Sequence, residues 1–183
     1  MLRGLQSDDE PIPVDVEDLG DLVRAKPRGS VPTELRWERL TDEDFERVIF
    51  SLISTTEGYE NPEWLTHTRA PDRGRDLSVM RVLEDRLGGT RRNRVIIQCR
   101  HWLSKSVSDR DVSHLRDQMS HWEPPRVDVL VIATSGRFSS DAVHSIEQHN
   151  QGDRALKIEL WASSHLERLL ASRPDLIAEF GLR

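Results

Sequence analysis

Two short segments set polar side chains where they could meet on one face of a sheet. In Val95-Ile96-Ile97-Gln98-Cys99-Arg100, strand alternation sends Gln98 and Arg100 to one face and Ile97 and Cys99 to the other. In Gly74-Arg75-Asp76-Leu77-Ser78-Val79, Leu77 and Val79 take the core face and Asp76 the opposite one. If the two strands pair, Asp76, Gln98 and Arg100 converge. A carboxylate, an amide oxygen and a cation at one sheet edge suit phosphodiester hydrolysis: oxygens hold a hard ion such as Mg²⁺, and the cation balances charge on the phosphate. From spacing alone, an ordinary surface ion pair between Asp76 and one of the many arginines is the simpler account. Cys99 reads as core rather than nucleophile.

Other chemistries lose their support. His114 and His121 could share a helix face, but no Cys/His spacing typical of zinc is present among the seven histidines. His101 follows Arg100 directly, and contact with a phosphate or packing beside Trp102 are both open. Gly88-Gly89 is a hairpin turn; neither a phosphate-cradling glycine loop nor a Gly-x-Ser-x-Gly elbow occurs. Ser135-Gly136-Arg137 at a strand's carboxyl end could approach a ligand, and a plain strand-to-helix loop explains it equally well.

The elements that must position these residues follow from hydrophobic period. Thr41 caps a helix whose first turn holds Asp42, Glu43 and Asp44, and Phe45, Val48, Ile49, Leu52 and Ile53 continue it at helical spacing to about Thr56. The period then changes to two. Trp64–Arg69, Arg75–Leu83 and Arg94–Arg100 read as three strands of an antiparallel meander. Asp109–Trp122 reads as a helix ended by Pro124-Pro125, and Val127–Ala133 as a strand buried on both faces. A helix over Ser139–His149, a strand over Leu156–Trp161 and helices over Ser163–Leu170 and Pro174–Phe180 complete the order. This is an α/β fold: a mixed central sheet flanked by helices on both faces.

Composition bounds the setting. One cysteine and 32% charged residues in 183 point to a reduced, cytoplasmic protein. No apolar run approaches a membrane span, and Met1–Glu10 lacks the regions of a signal peptide. The formal charge of −6 conceals an asymmetry. Met1–Glu46 holds six Lys/Arg against thirteen Asp/Glu, whereas Arg69–Lys105 holds ten against four. The second stretch fits either a solvated arginine-rich surface or a phosphate-contacting face. Residues 1–36, with Pro11, Pro13, Pro27 and Pro32 and scattered acids, read as an extended acidic arm, leaving 37–183 as the folded domain.

Four segments in order, Phe45-Glu46, Asp72-Arg73-Gly74-Arg75-Asp76, Ile96-Ile97-Gln98-Cys99-Arg100-His101-Trp102 and Val131 to Ser139, resemble the Mrr-type catalytic domain of restriction endonucleases, in the PD-(D/E)xK nuclease superfamily. The resemblance extends from about Phe45 to at least Leu170. It implies a restriction-endonuclease-like αβββαβ core and a metal-dependent endonuclease acting on DNA in restriction or anti-phage defence, as a homodimer or within a larger defence assembly. By position, Asp76 matches the metal-binding aspartate, Gln98 the glutamine this branch uses for a second acid, and Glu46 the acid of the first helix. The Cys99 backbone carbonyl would be a further ligand to Mg²⁺ or Mn²⁺. Arg73, Arg75, His101, Lys105 and Arg137 would contact DNA. Arg100 stands where the family has lysine. An arginine stays protonated and cannot act as a general base, although it can hold a phosphate, and Lys105 is the nearest lysine downstream. The alternative is a degenerate nuclease fold that serves as a DNA-binding or protein-interaction module.

Overall fold

Thr41 opens the first helix as its sequence requires. Its Oγ1 accepts from the Asp44 backbone N–H at 3.1 Å, and the Asp44 carboxylate accepts from the Thr41 N–H at 3.2 Å, a capping box that starts α1 (Asp42–Ser54). The Thr41 hydroxyl also donates to the Asp44 carboxylate at 2.7 Å, and this bond first, with that from the Thr41 N–H, holds the Asp44 carboxyl below its usual range. Phe45, Val48 and Ile49 are wholly buried on one face of the helix. In this computed structural model the described residues are 34–65, 76–85, 87–153 and 155–183.

Five strands follow in a single sheet of order β1-β2-β3-β4-β5: β1 (Tyr59–Leu65), β2 (Asp76–Asp85), β3 (Gly89–Arg100), β4 (Val129–Thr134) and β5 (Lys157–Trp161). The first three pair antiparallel and the last two join in parallel, so the sheet is mixed. Parallel neighbours require crossovers, supplied by α2 (Asp109–Asp117), which runs into a 3₁₀ turn at Gln118–Trp122, and by α3 (Ser140–Gly152). Helices α4 (Ser163–Leu170) and α5 (Pro174–Glu179) close the chain. From α1 to β4 the order is αβββαβ, as the sequence implies.

Each face of the sheet carries its own core. On one, α1, α4 and α5 cover Leu77, Val79, Val95, Ile97, Cys99, Val131 and Trp161. On the other, α2 and α3 cover Ile96, Leu130, Ile132 and Ile158. All six residues of β4 are buried, as expected for a strand covered on both sides.

Several boundaries differ from the sequence reading for identifiable reasons. β1 begins at Tyr59, not Trp64, and passes through Asn61-Pro62 with a bulge between Glu60 and Glu63 and a positive φ of 52° at Asn61. An edge strand tolerates such residues. The expected strand residues 66–69 and 75 lie outside the described residues. β3 begins at Gly89 rather than Arg94, because its arginine-rich first half pairs with β2 in an exposed hairpin where burial leaves no alternation. Folding contacts also begin before residue 37. Leu35 is buried, and Arg36 N–H donates to the Leu182 carbonyl at 2.9 Å. The Glu167 carboxylate accepts from Leu35 N–H and from the Trp37 indole N–H.

One ion pair lies in a largely apolar setting. Arg81 of β2 donates two hydrogen bonds to Glu159 of β5 at 2.8 and 2.9 Å, with its guanidinium over the Tyr59 ring. Burial pushes the Glu159 carboxyl up, but the hydrogen bonds and charge of Arg81 outweigh it and leave it below its ordinary value.

Candidate nuclease site

Of the residues expected to form a site, Asp76 begins β2, Gln98, Cys99 and Arg100 end β3, and Glu46 is on α1. Leu77 pairs with Ile97, so the next rung of the antiparallel ladder joins positions 76 and 98. Asp76 is thus on β2 opposite the Gln98 position, although its side chain lies outside what is described, as do Arg73 and Arg75. Arg100 is two residues beyond Gln98, paired in parallel register with Thr134. In open sheets of this kind, ligands bind outside the carboxyl ends of parallel strands.

Gln98 is 1% exposed, as buried as the apolar residues beside it. Alternation alone would leave it on an open face. β3 is the central strand, however, and α2 and α3 cover the side on which Gln98 follows Ile96. Glu46, on the second turn of α1, is 7% exposed, the one buried carboxylate among the described residues. Cys99 sends its side chain into the α1 face of the core, leaving its carbonyl as the group it can offer to a ligand. That carbonyl accepts a hydrogen bond from Arg100 Nη1 at 3.0 Å.

His101 joins the end of β3 to α1. Its ring stacks on Phe45 with centroids 5.4 Å apart, and its Nε2 bonds the Leu40 carbonyl at 2.9 Å. Because a carbonyl only accepts, Nε2 carries the proton. The residue proposed from sequence for DNA contact is thus engaged in packing, and it fixes Arg100 relative to Phe45-Glu46. Lys105 is also occupied: Nζ donates to Asp111 at 3.2 Å and lies 3.8 Å from the Trp102 ring centroid. Asp111 in turn forms a capping box with Ser108 at the start of α2. Burial pushes its carboxyl up, but the Ser108 and Lys105 hydrogen bonds prevail and lower it. Arg137 is exposed on the loop after β4.

The sequence gives less notice of the contact that joins these loops. Val107 N–H donates to Arg137 O and Ser139 N–H to Val107 O, both at 2.9 Å, while Gly136 O accepts from Ser163 N–H at 3.0 Å. A Cβ at Gly136 would lie 2.2 Å from the Trp102 carbonyl oxygen, so only glycine permits the approach. Thr134 and Ser135 are buried beside it, with Thr134 Oγ1 accepting from Gly136 N–H. The glycine of Ser135-Gly136-Arg137 was the available signal, but it does not reveal its distant neighbour.

Among the described residues no three His, Cys, Asp or Glu side chains form a metal cluster. The available donors are of another kind: the Gln98 amide, the Cys99 carbonyl, Glu46 and the acid at position 76. An all-oxygen set fits a hard divalent ion such as Mg²⁺ or Mn²⁺ and not a thiophilic metal.

A family model described as Restriction endonuclease, the Mrr catalytic domain, matches residues 37–170. The chain is also similar to the solved restriction endonuclease MspJI in complex with a 27-mer oligonucleotide, at 16% identity and a TM-score of 0.46. That match covers 99% of this chain and 38% of the MspJI chain, so this chain spans well under half of that protein's length. No curated protein matches it.

Proposed function

Since this chain belongs to the Mrr catalytic-domain family of restriction endonucleases, we propose that it is a metal-dependent endonuclease that hydrolyses DNA phosphodiester bonds. The observation that carries the reading is the β2–β3 register, which sets Leu77 opposite Ile97, so that continuing it by one residue brings position 76 opposite Gln98, with Arg100 two residues beyond. Asp76, Gln98 and the Cys99 carbonyl would hold Mg²⁺ or Mn²⁺, with Glu46 supporting them. When bound, such an ion lowers the pKa of a water and neutralises charge on the phosphate.

The chain's own residues do the rest. Arg100, permanently protonated, holds the phosphate and stabilises charge as it develops, but takes no proton. Glu46 is the buried carboxylate available to orient or accept a proton from the attacking water. His101 keeps the end of β3 in register with α1 so that these groups face one phosphate. Arg73, Arg75 and Arg137 contact the DNA backbone, whereas Lys105 shapes the loop through Trp102 and Asp111. In this reading the protein works in the cytoplasm in restriction or anti-phage defence, as a homodimer or in a larger assembly.

The test is nicking of supercoiled plasmid by the full chain with Mg²⁺, Mn²⁺ or EDTA. Nicking that requires the divalent ion and disappears in Asp76→Ala supports the proposal; nicking unaffected by EDTA overturns it. A second reading, a DNA-binding module without cleavage, is favoured by one observation, the Arg100 guanidinium on the Cys99 carbonyl. Salt-sensitive DNA binding without nicking under either ion would select it.

A further inference from the structure

We propose that the chain has a second binding site, for a neutral, flat heterocycle with hydrogen-bond acceptors on its edge, in the cavity walled by the last turn of α1, by α4 and by strands β1, β2 and β5. The cavity holds about 620 Å³, within the range of about 300–1,000 Å³ in which small-molecule sites fall. It stands apart from the nuclease reading, since none of Glu46, Asp76, Gln98 and Arg100 lines it. Arg81, which does, follows Leu77 and Val79 along β2, five residues from Asp76, or about 17 Å of extended strand.

Charge and hydrogen bonding define the ligand. Leu52, Ile53, Val82 and Leu169 supply aliphatic walls, and Trp161 stacks on His165 with ring centroids 5.7 Å apart. The charges are already matched. Arg81 holds Glu159 through both Nη atoms, Lys157 reaches the same carboxylate at 3.3 Å, and Arg173 binds Asp175 at 3.1 and 2.7 Å. A charged ligand would give up its water for no unspent countercharge within the walls, and an anion would also meet the exposed Glu57. Two N–H groups, in contrast, are unspent. Arg168 Nη2 donates to His165 Nδ1 at 2.9 Å, so the neutral ring carries its proton on Nε2. Burial first, and then the Arg168 charge, lowers the pKa of this histidine and keeps the ring neutral. Neither that Nε2–H nor the indole N–H of Trp161, a residue 7% exposed, has an acceptor among the described residues. A buried indole N–H ordinarily finds a partner. A carbonyl or ring-nitrogen edge on the ligand supplies one, and an aromatic body packs against rings and aliphatic walls alike.

The experiment titrates the full chain with Nile red, a neutral, planar, carbonyl-bearing dye that brightens in apolar surroundings, and then displaces it with flavone, which shares those features. Leu169→Trp fills the cavity. His165→Phe keeps a ring there and removes one donor, and thermal melting confirms that each variant is folded. Wild type should bind the dye saturably, one molecule per chain, and release it to flavone. Leu169→Trp should weaken binding by about tenfold or more, as overpacking does. His165→Phe should weaken it about fivefold, the worth of one hydrogen bond. If Leu169→Trp does not fold, His165→Phe alone decides. No saturable binding by wild type, or equal affinity in wild type and every folded variant, would overturn the proposal and leave the nuclease reading untouched.

Discussion

Replacing Gly136 by alanine should damage both the fold and the site. The added Cβ would stand 2.2 Å from the Trp102 carbonyl oxygen, 3.4 Å from the Trp102 carbonyl carbon and 3.5 Å from the Lys105 carbonyl oxygen. Since carbon-to-carbonyl contacts are ordinarily about 3.3–3.6 Å, the overlap with Trp102 O is about 1 Å, and the colliding atom is backbone. Neither strand-end loop can withdraw freely, because hydrogen bonds join Val107 to Arg137 and Ser139, and Gly136 to Ser163. Overpacking of this kind costs about 1–3 kcal/mol, and with backbone on both sides we expect the upper half of that range. The entropy gained by removing a glycine, about 0.4–1 kcal/mol, does not offset it. At about 2–4 °C per kcal/mol for a chain of this size, Tm by circular dichroism should fall by about 4–12 °C. Trp102 lies two residues after Arg100, so a displaced loop should also lower nicking, by up to about 100-fold for a 1 Å misplacement. Gly152→Ala, where a Cβ meets nothing within 4 Å, is the control and should melt within about 2 °C of wild type. Equal melting of Gly136→Ala and wild type would refute the close-approach argument.

Three further outcomes follow from particular contacts. Arg81→Met should destabilise the protein by about 1–3 kcal/mol in urea unfolding, because Glu159 loses two hydrogen bonds and keeps only the exposed Lys157, at 3.3 Å, as a partner, and Arg81→Met/Glu159→Met should recover most of the loss. The Glu159 carboxyl is held below its ordinary 4.5 in the folded state, so the pair's stabilisation is present above that pH and is lost as the pH falls through the folded value. Below about pH 4.5, wild-type Tm should therefore fall more steeply than that of the double variant; parallel curves would contradict this. His101→Ala should lower stability and nicking but leave the salt dependence of DNA binding unchanged, whereas Arg137→Ala should reduce that slope by about one phosphate contact. A reduced slope in His101→Ala would make the ring a DNA contact after all.

Much of the architecture was legible because its signals are local. The Thr41 and Asp44 pair forms the expected cap, and the apolar run through Val131 becomes the doubly buried β4. Period two failed where burial does not alternate: along the exposed hairpin half of β3, and at Gln98, whose polar side is covered by α2 and α3. The resemblance implies the site residues, and the register, with Leu77 opposite Ile97, ends one position short of two of them, Asp76 and Gln98. What remained illegible depends on distant partners. Glu167 anchors Leu35 and Trp37 from 132 and 130 residues away, so the start of the folded domain had no local mark. His101 reads equally as a phosphate contact or as packing in the sequence, because its partners Phe45 and Leu40 lie far from it along the chain.

In the proposed function the start of β2 and the end of β3 form one metal site for phosphodiester hydrolysis. The most direct measurement is an anomalous-scattering map from crystals of the full chain soaked in Mn²⁺. The expected density is an ion ligated by Asp76, Gln98 and the Cys99 carbonyl; an ion bound elsewhere, in a protein that nicks DNA with Mn²⁺, would rule this site out.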